Sequence, residues 1–317
     1  MKAIAYEKFG TTEVLQIVER QSPSIKDDQV LVKVKTFSIN PMDWKIRKGE
    51  MKLMSGSKFP KYTGADFAGV VVATGTSVKE LKKGDEVFGV VGNIMKDGAS
   101  AEYIAVPANL VWRKPSELSF AQAASIPVVG TAAVTTFEKM GHTDSQTRIL
   151  VNGATGGYGM FLLQLLAQTD ADVTAVTSAG GMRYAKQWGA ARVVDYNKED
   201  ILAQKHTYDV VIDLSGKMGY RKAKQIMNPR SLFLNPTPKP IEIILSKISN
   251  LFTGKKHQVV LSSPSKKYAD ALLAAIRNGF EVEVNRIFPF TEFRQAYQYA
   301  EAGGFVGKVI IEFPEER

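Results

Sequence analysis

The sequence predicts an α/β protein: a β-rich unit at the N-terminus, then a doubly wound parallel sheet covered by helices. Three observations predict it. Short strands separated by turns fill roughly the first hundred residues. From about residue 120 strand and helix patterns alternate. Within that alternation a glycine-rich turn, Gly153-Ala154-Thr155-Gly156-Gly157-Tyr158-Gly159, joins an apolar strand to a helix.

In the first unit, Gln29–Lys35 alternates in part and Ala68–Ala73 is a continuous apolar strand. Gly84–Gly89 opens another, and Ala101–Val106 alternates again. Ser119 caps a helix through Ala123 and Ala124 that Pro127 is expected to end, and a second helix covers Thr131–Met140. The alternation then runs Arg148–Asn152 strand, Tyr158–Gln168 helix, Asp172–Thr177 strand, Arg183–Trp188 helix and Arg192–Asp195 strand. Asp209–Asp213 and Ser231–Leu234 read as further buried strands. The helix Lys266–Arg277, a strand, the helix Thr291–Ala302 and the strand Gly307–Phe313 do not continue the alternation cleanly. This tail is expected to return to the first unit.

Composition narrows the chemistry. The chain has 317 residues, a length that suits two domains with their own cores. It has no cysteine, which excludes disulfides, thiolate zinc sites, iron–sulfur clusters and a cysteine nucleophile. Apolar stretches such as Met160–Ala167 are too short to span a bilayer, and residues 1–8 show no secretion signal, so a cytoplasmic protein is expected. The net charge is +9, from 41 basic against 32 acidic residues. Its clusters at Lys79/Lys82/Lys83, Lys255/Lys256 and Lys266/Lys267 read as solvated loop faces. No nucleic-acid-binding motif accompanies them.

The glycine turn carries the first functional reading. Gly153, Gly156 and Gly159 suit a tight turn, backbone approach to a pyrophosphate and close helix–strand packing. The helix N-terminus behind them offers unpaired N–H groups and a positive dipole end to phosphates. The next strand ends in Val176-Thr177-Ser178-Ala179-Gly180-Gly181, without the acid that would bind a ribose 2′-hydroxyl. Thr177 and Ser178, with Arg183 or Lys186 nearby, are positioned instead for a 2′-phosphate, so NADPH is the expected cofactor. The alternative reading is that Thr177 and Ser178 cap the next helix.

Seven segments in order resemble the medium-chain dehydrogenase/reductase superfamily, closest to its zinc-free quinone oxidoreductase group with the alkenal and enone reductases. They are 38–49 (Ser-Ile-Asn-Pro-Met-Asp-Trp-Lys-Ile-Arg-Lys-Gly), 62–69, 83–89, 98–103, the glycine loop, 188–196 and 307–311. The resemblance implies a GroES-like β-rich catalytic domain over 1–125 and 266–317, and a Rossmann NADPH-binding domain over 126–265. It implies a homodimer as well. Zinc relatives carry Gly-His-Glu where this chain reads Gly64-Ala65-Asp66, and His142, His206 and His257 lie outside the family's ligand positions, so no metal is expected. Without a Lewis acid the implied chemistry is hydride transfer to a small-molecule quinone or enone, with hydrogen bonds to the oxygen that becomes anionic.

The resemblance places Asn40, Asp43 and Lys45 at the catalytic site. Asn40 is expected to donate to ribose or substrate, Lys45 to offer a charged donor and Asp43 to orient neighbours. Asp66, in its tight turn, reads as structural. The cofactor contacts are Gly156, Gly157, Tyr158, Ser178, Tyr196, Ser215, Gly216 and Lys308. Thr131 is included because the group's threonine position here holds Ala132. A second departure is Gly180 and Gly181, where the group often has a basic residue; Arg183 is expected to compensate.

Two features resist assignment. Tyr220 and Lys224 spell the Tyr-x-x-x-Lys pair of short-chain dehydrogenases, but their place in the chain is wrong for that role and they read as a solvated helix face. Residues 241–252 are apolar enough for a membrane-surface helix, a buried packing face or a wall of the substrate mouth, although no membrane partner is expected. The alternative function is an NADPH-binding sensor, or a partner- or nucleic-acid-binding protein with little turnover.

Overall fold

The computed structural model describes residues 1–204, 207–238 and 240–315. Six strands form one parallel sheet in the order Arg192–Asp195, Asp172–Thr177, Arg148–Asn152, Tyr208–Asp213, Met227–Asn235, Lys255–Val259. The chain visits them as third, second, first, fourth, fifth and sixth, the doubly wound Rossmann order. Its direction of winding reverses between Arg148–Asn152 and Tyr208–Asp213, and such a reversal opens a crevice at the carboxyl ends of the strands.

The sheet is sandwiched because its strands are apolar on both faces. Ile149, Leu150 and Val151 are fully buried, as are Phe161 and Leu162 from the helix Gly157–Leu166 above them. Each such side chain contributes about 2 kcal/mol of hydrophobic stabilisation. The Ser119-capped helix does end before Pro127, but Pro127 also opens the second helix, Pro127–Met140 rather than Thr131–Met140, at the first position, where a missing N–H costs nothing. The preceding helix is Phe120–Ala124, capped by Ser119 with Gln122 in reciprocal hydrogen bonds. Lys266–Arg277 packs on Pro127–Met140, with Leu272 against Gly130.

The β-rich part is a seven-stranded sheet centred on the long strand Gln29–Ser38. Asp66–Thr74 and Tyr103–Pro107 pair with it antiparallel, and so does the final strand, Lys308–Glu312. Lys308–Glu312 pairs in turn with Val284–Pro289, so the tail does rejoin the first unit. A smaller sheet of Gln16–Glu19, Lys2–Tyr6 and Lys61–Tyr62 closes one end. Where the chain re-enters the β-rich part it touches the glycine turn: Gly307 N–H donates to the Thr155 carbonyl at 2.9 Å. That contact places the two halves of the site side by side.

Candidate active site

Asn40 leads into the short helix Pro41–Arg47, and proline at its first position sets the helical entry. The Asn40 N–H donates to Asp43 Oδ2 at 2.7 Å while the Asp43 N–H donates back to the Asn40 carbonyl at 3.0 Å. Arg47, buried at the other end, pairs with Glu301 and fastens the helix to Phe293–Ala302. Asp43 is thus a positioning group. Its burial pushes the carboxyl up to about 7, against the pull of the backbone N–H of Asn40.

Asp66 is the hub of this region. Its Oδ2 accepts from Ser38 Oγ at 2.9 Å and Asn40 Nδ2 at 2.9 Å, and its Oδ1 accepts from the Val128 N–H at 2.8 Å. The last of these caps the helix Pro127–Met140 with a carboxylate, where the helix dipole is positive. Lys308 reaches in from the final strand. Its Nζ donates to the Ile39 carbonyl at 2.9 Å and to Asn40 Oδ1 at 2.6 Å, and stands 3.9 Å from Asp66. All four side chains are buried. Burial drives Asp66 up and Lys308 down, while their mutual attraction opposes both shifts. The Asn40 amide is therefore held on both sides, with one N–H left over. Lys45 sits half-buried on the same helix, its ammonium without a hydrogen-bond or ion-pair partner among the described residues.

The glycines of the turn divide by what surrounds them. Gly153 has φ +80°, so its backbone favours glycine, and an added Cβ would meet Ser215. Gly159 lies against the Ala154 backbone and Gly157 against the methylenes of Lys308. Gly156 differs. Its φ of −69° suits any residue, and an added Cβ would meet only the Gly153 carbonyl, at 3.9 Å. Nothing in the protein requires glycine there, which is what a close-approaching phosphate needs. The first-turn N–H groups of Gly157–Leu166 lack intrahelical acceptors and face the same side. A dinucleotide fits this edge.

Beyond the turn, Asn152 Nδ2 bonds Asp213 Oδ1 and Ser215 Oγ, each at 2.9 Å, across the point where the strand order reverses. Asp213 also accepts from the N–H groups of Gly216, Met218 and Gly219, shaping the Ser215–Gly216 turn. Sequence reasoning passed over Asn152 and Asp213. Their signal was available as polar residues ending two apolar strands. A cleft of about 350 Å³ opens here, lined by Asn152, Val176, Tyr196, Lys198, Lys217 and Met218 among others.

Other nominated residues lie elsewhere in their chemistry. Tyr158 spends its hydroxyl on the Ala132 carbonyl at 2.8 Å and on Thr136 at 2.5 Å, so only its backbone faces the turn. Thr131 is buried one turn into Pro127–Met140. Thr177 bonds Thr155, and Ser178 Oγ donates to the Gly304 carbonyl at 3.3 Å, so neither caps the following helix. Those two threonine hydroxyls occupy the space that a side chain at Gly181 would need, whereas Gly180 is open and the structure does not explain the missing basic residue there. Arg183 is exposed, its guanidinium 4.9 Å from the Tyr184 ring centroid. Tyr220 is half-buried rather than solvated, bonded to the Lys255 carbonyl and stacked on His257 at 4.7 Å. His206 lies outside the described residues.

Residues 26–116 match the alcohol dehydrogenase GroES-like domain family and residues 188–311 the zinc-binding dehydrogenase family. The chain is 34% identical to a 2-methylene-furan-3-one reductase of Solanum lycopersicum, over 98% of this chain and 79% of that protein. The chain belongs to the quinone oxidoreductase and alkenal/enone reductase group of the medium-chain dehydrogenases/reductases. An NADPH-dependent alkenal/one oxidoreductase of Arabidopsis thaliana is 32% identical over 98% of this chain and 79% of its own length. The structure of a quinone oxidoreductase from Coxiella burnetii superposes with a TM-score of 0.88 at 28% identity, covering 98% of this chain and 99% of that one. This reductase fold is thus shared along the whole chain. Within it, the position read above as a zinc-ligand histidine of the zinc relatives is Ala65, and among the described residues no three metal-ligating side chains cluster.

Proposed function

We propose that this enzyme is an NADPH-dependent reductase of quinones and α,β-unsaturated carbonyls. The observation that carries the reading is the Gly307–Lys308 junction, where a dinucleotide-binding turn and the Asn40 segment meet. The activities named for its relatives supply the substrate class. When bound, the reduced dinucleotide supplies hydride. The protein holds the pyrophosphate on the first-turn N–H groups of Gly157–Leu166 and fixes the cleft wall through Asn40, Asp66 and Lys308. The free ammonium of Lys45 is the donor we assign to the developing oxyanion. Quinones and enones accept charge well by themselves, which suits a site whose donor set includes no thiolate and no histidine at the zinc position.

The preference for NADPH rests on the acid-free strand end and on cations in the Tyr196 cleft. Arg183 is directed onto Tyr184, so Lys198, Lys217 and Lys222 are the charges offered to a 2′-phosphate. We further read the enzyme as a cytoplasmic homodimer, which fractionation and light scattering test. The deciding assay follows NADPH oxidation with a naphthoquinone, a benzoquinone, an enone and a short alkenal. Turnover of at least one acceptor is expected, with higher kcat/KM for NADPH than for NADH. Tight NADPH binding with no acceptor reduced would move the reading to a cofactor sensor.

A further inference from the structure

The charge of this protein is not spread over it. Eleven of its 41 basic residues but only one of its 32 acidic residues, Glu242, fall between positions 214 and 269, so the rest of the chain is close to neutral. This segment builds one margin of the molecule: the outer strands Met227–Asn235 and Lys255–Val259, with the helix Pro240–Ser249 packed on the latter. Arg230 and Lys247 are exposed there, and Lys256 flanks them on the sheet's edge strand.

Through these cations runs an unpartnered apolar stripe. Ile241, Ile244, Leu245 and Ile248 recur on one face of Pro240–Ser249 at helical spacing, and each is more than half exposed. Leu251 and Phe252 extend the stripe past the helix end, at 78% and 83% exposed. The turn that carries them is fastened. Asn250 bonds the main chain of His257 on both sides, Nδ2 to its carbonyl at 2.8 Å and Oδ1 from its N–H at 2.7 Å. Lys256 Nζ adds a bond to the Asn250 carbonyl at 2.6 Å. Leu251 and Phe252 are held outward by the fold.

We propose that this face docks on an anionic lipid bilayer, with the stripe entering the headgroup region and the surrounding lysines and arginines meeting lipid phosphates. Aliphatic side chains beside clustered cations match that surface on both counts. They match nucleic acid on one count only, since Ile and Leu gain nothing from phosphates. A second copy seated by two-fold symmetry would bring each cation cluster against its own image. The proposal departs from the expectation of no membrane partner. It concerns the surface alone, because no helix among the described residues is long and apolar enough to cross a membrane.

The test is co-sedimentation of the full chain, without cofactor or substrate, with vesicles of phosphatidylcholine or of phosphatidylcholine mixed with phosphatidylglycerol. Its result is therefore independent of the assigned activity. Binding to the anionic vesicles is expected to be at least about tenfold tighter and to weaken in high salt. Leu251→Ser/Phe252→Ser and, separately, Arg230→Gln/Lys247→Gln are each expected to lower it by about tenfold. All four positions are exposed, and Phe252→Ser alone serves if the first pair melts early. Equal binding to both vesicle types, or unchanged binding by both variants, overturns the proposal. So does duplex DNA binding that survives the Leu251/Phe252 change while vesicles are ignored. Light scattering that shows this change splitting a dimer, with vesicle binding untouched, would give the face to a second copy instead.

Discussion

Lys308 donates to the side-chain oxygen of Asn40 at 2.6 Å, joining residues 268 positions apart, while its methylenes lie under Gly157. One side chain thus touches both the glycine turn and the Asn40 segment. Lys308→Met keeps the methylenes and removes the ammonium, leaving Asp66 a buried carboxylate without its cation. Breaking such a pair costs about 3–5 kcal/mol. The melting temperature is expected to fall by about 6 °C or more, with kcat reduced further than KM for NADPH is raised. Calorimetry and steady-state kinetics check this. An unchanged melting temperature and kcat would remove Lys308 from the positioning role.

Gly156 and Gly159 separate binding from folding. Gly156→Ala has room in the protein, so its melting temperature should stay within about 2 °C of the parent while the affinity for NADPH drops roughly tenfold or more. Gly159→Ala drives a methyl into the Ala154 backbone and should melt several degrees earlier. Thermal melts and cofactor fluorescence titrations distinguish the two. Normal NADPH binding by Gly156→Ala would contradict the placement of the pyrophosphate.

Asp43 gives stability a pH dependence of defined sign. Its carboxyl titrates near 7 in the folded protein against an ordinary value of 3.8, because it is buried. Between those values the folded state holds the proton that the unfolded chain has lost. The stabilising contribution is therefore full below the lower value and is lost as pH rises through the upper one, up to about 4 kcal/mol in all. Asp43→Asn, which cannot titrate, should flatten urea-unfolding stability across this window relative to the parent. Parallel profiles for the two proteins would show that Asp43 is not the titrating group.

Although residues 188–311 match a zinc-binding family, no metal chemistry is expected to come with that match. Cysteine is absent, position 65 is alanine, and His257 is packed between Tyr220 and Phe233. Prolonged EDTA treatment is expected to leave both the melting temperature and NADPH-dependent turnover unchanged, and elemental analysis should find well under one zinc per chain. Stoichiometric zinc, or activity lost to EDTA and restored by the metal, would reverse this reading.

Much of the Rossmann half was readable from local pattern. Short, mainly apolar buried runs, Ile149–Val151 and Val173–Val176, mark Arg148–Asn152 and Asp172–Thr177, and the Gly153–Gly159 spacing is itself local. The edge strand Lys255–Val259 was not readable. Its Lys-Lys-His-Gln-Val composition has no apolar signal, and its partner Ser231–Asn235 is more than twenty residues away. Pro127 misled because the same ring that stops one helix can start the next.

By itself the sequence determined the glycine turn, the absence of cysteine and of a histidine at position 65, and the residue types available for hydride chemistry, because each of these is read directly from residue identities. Tertiary structure decided which of them work together. Only folding sets Lys308 on Asn40, ties Asp66 to the head of Pro127–Met140, and turns the Tyr158 hydroxyl away from the cofactor edge. Those contacts join residues far apart in the chain, and a hydrogen bond between distant positions leaves no periodic trace in the sequence of either partner.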